Sequence, residues 1–173
     1  RLAHFLRTAA SLFVVMTMSI SSIGCSTSSL KVRQDVNTPH LWVIENDKVK
    51  VEIDAKLGRI MHYGFHGQEN AFWINMEAAD DRYDVGGWDN WGGDKVWPWP
   101  QELWNWPPPE PSYQLQAMAD GEAIIMTSDV IDKVGARIKR IVELECDGTL
   151  VVTSRLEPAS GGFGQPLSAW SIT

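Results

Sequence analysis

The sequence predicts an all-β domain built as an antiparallel β-sandwich, and three observations carry that prediction. Short runs that alternate apolar and polar residues recur from Leu41 onward, which is the pattern of half-buried strands. Asp120-Gly121 and Asp147-Gly148 each join two such runs, a strong signal for tight hairpins. No segment keeps apolar residues at helical spacing over a helix length. Strands joined this locally pair antiparallel.

Residues 1–24 read as a lipoprotein-type signal peptide. Arg1 and Arg7 give the positive start, and Ala9 to Ile20 give an apolar stretch too short to span a membrane comfortably. Ser21-Ser22-Ile23-Gly24-Cys25 looks like a lipoprotein cleavage box, with Cys25 the lipidated residue, although Ser22 stands where leucine is usual. The alternative is an ordinary secretory signal in which Cys25 is incidental. Residues 25–40, opening with Ser26-Thr27-Ser28-Ser29, read as a flexible tether, and residues 41–173 as the domain. With Cys25 acylated no disulfide forms within the chain, so an exported domain of this kind must rest on its core. Cys146, in a strand-like run, is then expected to be a small buried hydrophobe. A start at Arg1 and a stop at Thr173 inside an apolar run read as a fragment of a longer protein.

The strands follow in order. Leu41 to Glu45 leads into an Asn46-Asp47 turn, and Val49 to Asp54 alternates strictly. Leu57-Gly58 turns the chain into Arg59 to Phe65, then His66 to Asn70 connects to a further strand, Ala71 to Asn75. Two hairpins close the pattern: Tyr113 to Met118 with Glu122 to Ser128, and Ala136 to Glu145 with Thr149 to Leu156.

Between these halves lies a segment of different character, Asp84 to Trp106. Six of the chain's nine tryptophans fall in it, at 88, 91, 97, 99, 104 and 106, among two Gly-Gly pairs and several prolines. That Gly and Pro content argues against a helix or a central strand, so a long shaped loop is expected. Long ordered loops are usually functional. Indole faces beside amide, carboxylate and ammonium groups suit a sugar, whose C–H face stacks while its hydroxyls hydrogen-bond. The same tryptophans could instead plug the open end of a sandwich.

A formal net charge of -7 over 173 residues argues against nucleic acid as a partner, because phosphate binding needs a basic face. The length suffices for one domain with a core. No nucleophile elbow, P-loop or dinucleotide fingerprint is present. Asp80, Asp81, Asp84, Asp89 and Asp94 form a carboxylate-rich run, but their spacing does not match a calcium loop and a solvated acidic loop is the better reading. Histidine spacing gives no zinc signature, so neither metal nor cofactor is expected.

Several stretches resemble a known family. Val49 to Ile53, Gly58-Arg59-Ile60, Asn70-Ala71-Phe72-Trp73 and Gly92-Gly93-Asp94-Lys95-Val96-Trp97-Pro98-Trp99-Pro100 are similar to the opening of the galactose mutarotase-like β-supersandwich. This is the fold of aldose 1-epimerases and hexose-6-phosphate mutarotases. With Gln101 and the cleavage box, the chain looks closest to a branch of bacterial exported lipoproteins. The resemblance spans about residues 41–173 and implies that the C-terminal part of the sandwich lies beyond them. Where the phosphate-handling branch has Arg before Gly-Gly, Trp91 stands, and Lys95 is a poor geometric substitute for a bidentate Arg. Its His-Gly pair is replaced by Gln101-Glu102-Leu103-Trp104, followed by Pro107 to Pro109. The family's second catalytic His and its Glu would lie beyond Thr173, so no catalytic residue carries over.

Ring opening of an aldose needs a general base and a general acid. Asp94, Glu102, Asp89, His62 and His66 are the candidates, and adjacent Asp94 and Lys95 are the most attractive pair. Alternatively those two cap the turn or pair with each other. His66 reads as a solvated turn residue, and His62 as a core or cleft histidine. The expected function is an exported, lipid-anchored carbohydrate-binding protein. It would hold a neutral sugar on Trp91, Asp94, Lys95, Trp97, Trp99, Gln101 and Trp104. A mutarotase-type or epimerase-type enzyme on an aldose or glycan is the alternative, as is a structural envelope domain. The expected partners are a carbohydrate and a membrane reached through the N-terminal lipid, on its periplasmic side or the cell surface.

Overall fold

A computed structural model describes residues 30–78, 89–118 and 121–173. The signal-peptide reading, Cys25, Trp88 and the aspartates at 80, 81 and 84 lie outside them. The described residues form ten strands and no α-helix. In chain order these are β1 Lys31–Gln34, β2 Leu41–Glu45, β3 Val49–Asp54, β4 Arg59–Phe65, β5 Lys95–Trp99, β6 Tyr113–Ala117, β7 Ala123–Ser128, β8 Ala136–Leu144, β9 Leu150–Pro158 and β10 Ser168–Ile172. Strands β1 to β4 make one antiparallel meander, β6 to β9 a second, and β5 pairs with β10 in a two-stranded ribbon.

Alternation builds the two meanders. Val49, Val51 and Ile53 of β3 are buried, as are Ala136, Ile138, Val142 and Leu144 of β8. Ile44, Val49, Val51, Ile53 and Ile60 of the first sheet meet Ile124, Met126, Val142 and Leu144 of the second in one cluster. Two antiparallel sheets face to face across such a layer are a β-sandwich. Side chains close the turns: Asn46 Oδ1 accepts from the Lys48 and Val49 amides, each at 2.9 Å. Asp54 Oδ1 does the same for Lys56 and Leu57. Asn46 Nδ2 also donates to the Glu145 carbonyl at 3.1 Å, which ties the two sheets at one end.

The first sheet carries one irregularity. The β3–β4 register shifts between Glu52 and Ile53, leaving Met61 without an opposite residue. This bulge lets Arg59, Ile60 and Met61 all be buried in succession. Ile60 joins the sandwich core, while Met61 packs with Trp91 and Ala78 in a separate cluster.

Four expectations are corrected. Residues 31–34 belong to the stretch read as tether but form an edge strand, because Leu30 and Val32 pack against the sandwich core. Residues 71–75 make only a single bridge, Ile74 to Gly92. Asn70 bends them away: its Oδ1 accepts from Tyr63 and Phe72 and its Nδ2 donates to the Met61 carbonyl. The segment read as loop contains β5, since a two-stranded ribbon tolerates Pro98 where a central strand would not. Cys146 is exposed in the β8–β9 turn and disulfide-bonded, so it is neither buried nor a free thiol.

Candidate functional site

Gly92 and Gly93 place the tryptophan-rich segment. Both have positive φ, +81° and +70°, which favours glycine. A Cβ on Gly92 would lie 2.1 Å from the Trp73 carbonyl oxygen, and one on Gly93 2.6 Å from that of Ile60. The backbone therefore lies flat on β4. The Asp94 amide donates to Ile60 O at 2.9 Å, and the Ile60 amide returns a bond to Asp94 O at 3.1 Å. From this anchor the chain runs directly into β5.

Two buried arginines clamp the anchor. The Arg59 guanidinium sits 5.1 Å from the centre of the Trp91 ring and donates from Nη1 to Gly92 O at 2.9 Å. Its Nη2 pairs with Glu110 Oε1 at 2.6 Å. Desolvation pulls the Arg59 pKa down and Glu110 opposes that pull. Arg140, fully buried on β8, pairs with Asp94 Oδ1 and donates to the Asp94 carbonyl at 3.3 Å. The Thr173 hydroxyl donates to Asp94 Oδ2 at 2.8 Å. Both carboxylate oxygens of Asp94 are thus engaged.

Lys95 has a different environment. It retains 8% of its surface. Nζ donates to Asn90 Oδ1 at 3.3 Å and lies 5.4 Å from the Trp97 ring centre. Among the described residues it has no carboxylate at ion-pair distance, so Asp94 and Lys95 do not pair with each other. Desolvation lowers its pKa and repulsion from Arg59 adds to this, against the weaker pull of Glu110 and Asp94.

Alternation along β5 puts Lys95, Trp97 and Trp99 on one face, and Val96 on the other against Ile131 and Ile138. The register with β10 sets Trp170 opposite Trp97 and Ser168 opposite Trp99. The Trp170 ring stands edge-on to both indoles, 5.7 Å from each. Trp104 completes the row at 6.1 Å from Trp97 and donates from Nε1 to Pro98 O at 2.7 Å. Beside Lys95 and Trp97 lies a small recess, bordered also by Arg59, Glu110 and Tyr113, with room for about one water molecule.

The structure divides the sequence-predicted residues. Trp91, Trp97 and Trp104 are buried, Asp94 is locked in its ion pair, and Gln101 is half-buried in a short 3-10 turn. Trp99 is 48% exposed. Asp89 and Glu102 are exposed and His62 is half-buried. Exposed His66 donates from Nε2 to Asn46 O at 2.8 Å, as befits a turn residue. Among the described residues no His, Cys, Asp and Glu side chains gather to hold a metal ion. Sequence reasoning missed Trp170, 38% exposed, and the two arginines. Arg140 had a legible signal, a charge at an inward phase of β8 between Ile138 and Val142.

The site therefore belongs to an all-β antiparallel sandwich whose aromatic ribbon keeps two indoles partly open. The chain matches no family model, no curated protein and no solved structure.

Proposed function

We propose that the protein is an exported carbohydrate-binding protein that stacks a sugar ring on Trp99. One observation carries the reading: Trp99 holds nearly half its surface in solvent while strand pairing and the edge of Trp170 hold it in place. An exposed indole that is already ordered loses little entropy on binding, which favours a stacking ligand. The likeness of residues 49–100 to mutarotase-like proteins supports the same class of ligand. Binding is favoured over proton transfer, because Arg140 and Thr173 engage both oxygens of Asp94, the favoured catalytic carboxylate. Burial of Trp91, Trp97 and Trp104 supports a packing role for those indoles.

The test is a titration of the mature protein with monosaccharides and short glycans, followed by tryptophan fluorescence. A saturable shift with one sugar class, abolished in a folded Trp99→Ala variant, is the expected result. No shift with any sugar, or unchanged affinity in the variant, overturns the proposal.

A further inference from the structure

We infer that the glycan bound along this ribbon is acidic, carrying one carboxylate beside its stacking ring, and that Lys95 is the counter-ion for that carboxylate. The inference rests on the carbohydrate reading above and names its ligand more closely, replacing the neutral sugar expected from sequence.

The ion pairs around the anchor leave one cation over. Arg59, Lys95 and Arg140 are all buried there, and Asp54, Asp94 and Glu110 are the carboxylates near them. Asp94 answers Arg140 and Glu110 answers Arg59. Lys95 alone has no carboxylate at ion-pair distance among the described residues; Glu110 and Asp94 act on it from farther away, and its ammonium, with three protons to donate, makes one long bond, to Asn90 at 3.3 Å. A shielded ammonium without a partner at contact distance is destabilising, and a bound anion would lessen the penalty.

The geometry says where that anion goes and what it is attached to. The recess beside Lys95 has room for about one water molecule, which is also the room a carboxylate oxygen needs. Tyr113 borders it, and its phenol, protonated at neutral pH like any tyrosine, can donate to an anion. Glu110 borders it too, but Arg59 holds that carboxylate at 2.6 Å. Lys95, Trp97 and Trp99 alternate onto one face of β5, so the stacking ring and the cation share a surface. From Lys95 to Trp99 is about 13 Å along an extended strand, which is longer than one pyranose ring and calls for at least two sugar units. A phosphate is the poorer match, because both arginine forks that could grip it are already engaged.

The experiment titrates the mature protein with three matched disaccharides: one containing a uronate, its carboxyl-reduced neutral form, and a phosphorylated form. The wild type is expected to bind the uronate about tenfold or more tightly than the neutral form. Lys95→Gln is expected to erase that ratio by weakening the uronate far more than the neutral form. Lys95→Met is expected to raise the Tm of the ligand-free protein, because it removes an unpaired ammonium. Equal affinity for the acid and neutral forms, a preference that survives Lys95→Gln, or tightest binding of the phosphorylated form each overturns the inference. Failure of all three sugars to bind overturns the carbohydrate reading itself, so the two failures are distinguishable.

Discussion

The sandwich and the β5–β10 ribbon order their strands by different means. In the two meanders most inward positions are aliphatic, and Ile44, Val51, Ile53, Ile124 and Val142 are shut away from water on both sides of one layer. In the ribbon the corresponding work falls to indoles and ion pairs: Trp97 against Trp104 and Trp170, Asp94 against Arg140, Arg59 against Glu110. Aliphatic burial is non-directional and closes a surface. Edge-to-face rings and charged hydrogen bonds are directional, and they can hold a strand still while leaving one ring face open. The difference teaches that a rigid region need not be a covered one.

The comparison can be broken at its most charged point. Arg140→Ala leaves the Asp94 carboxylate without its buried cation and is expected to lose about 3–5 kcal/mol in urea unfolding. Replacing both partners by apolar residues of similar volume should recover most of that loss, which separates an orphaned charge from lost packing. In the sandwich, Ile124→Ala is expected to lose about 2–5 kcal/mol with Trp99 emission unchanged, since the cavity opens in a core cluster that contains none of the ribbon's indoles.

A smaller effect sharpens the comparison through pH. The Tyr113 phenol, between ribbon and sandwich, is raised to about 12 by desolvation, which the nearby arginines Arg140 and Arg59 oppose. Between the ordinary tyrosine pKa of about 10 and that value, the unfolded chain gives up its phenolic proton while the folded chain keeps it. Stability therefore falls as pH rises through this window, and the wild type should lose more than Tyr113→Phe does. Equal pH slopes in the two proteins would sink this assignment. The smallest stability change belongs to Trp99→Ala, expected below about 1 kcal/mol because nearly half the ring is already in water. The same substitution should abolish sugar binding, so stability and affinity part company at one residue.

Much of the sandwich was legible in the chain alone. Asn46, Asp54, Gly121 and Gly148 announced their turns through side-chain bonding or positive φ. Seven strands announced themselves by alternation. β5 did not, because Pro98 and the neighbouring glycines argue locally for a loop, while its partner β10 arrives from the far end of the chain. Until β5 is known to be a strand, its parity is hidden, and nothing tells Trp99 from Trp97 or Trp104. Arg140 could have been read from its inward phase. The lack of an ion-pair partner at Lys95 could not, because it depends on Asp94 and Glu110 choosing other partners.

The row of rings from Trp104 through Trp97 and Trp170 to Trp99 has an optical consequence. Successive ring centres stand 5.7 to 6.1 Å apart at steep angles, close enough for their electronic transitions to mix. Light absorbed by one indole is then shared among the four, and the near-ultraviolet dichroism carries paired bands of opposite sign. Those bands report on the ribbon and on Trp104 beside it. Their decay on heating follows its opening separately from the far-ultraviolet signal of the sheets, and a molecule that lands on Trp99 perturbs the whole row.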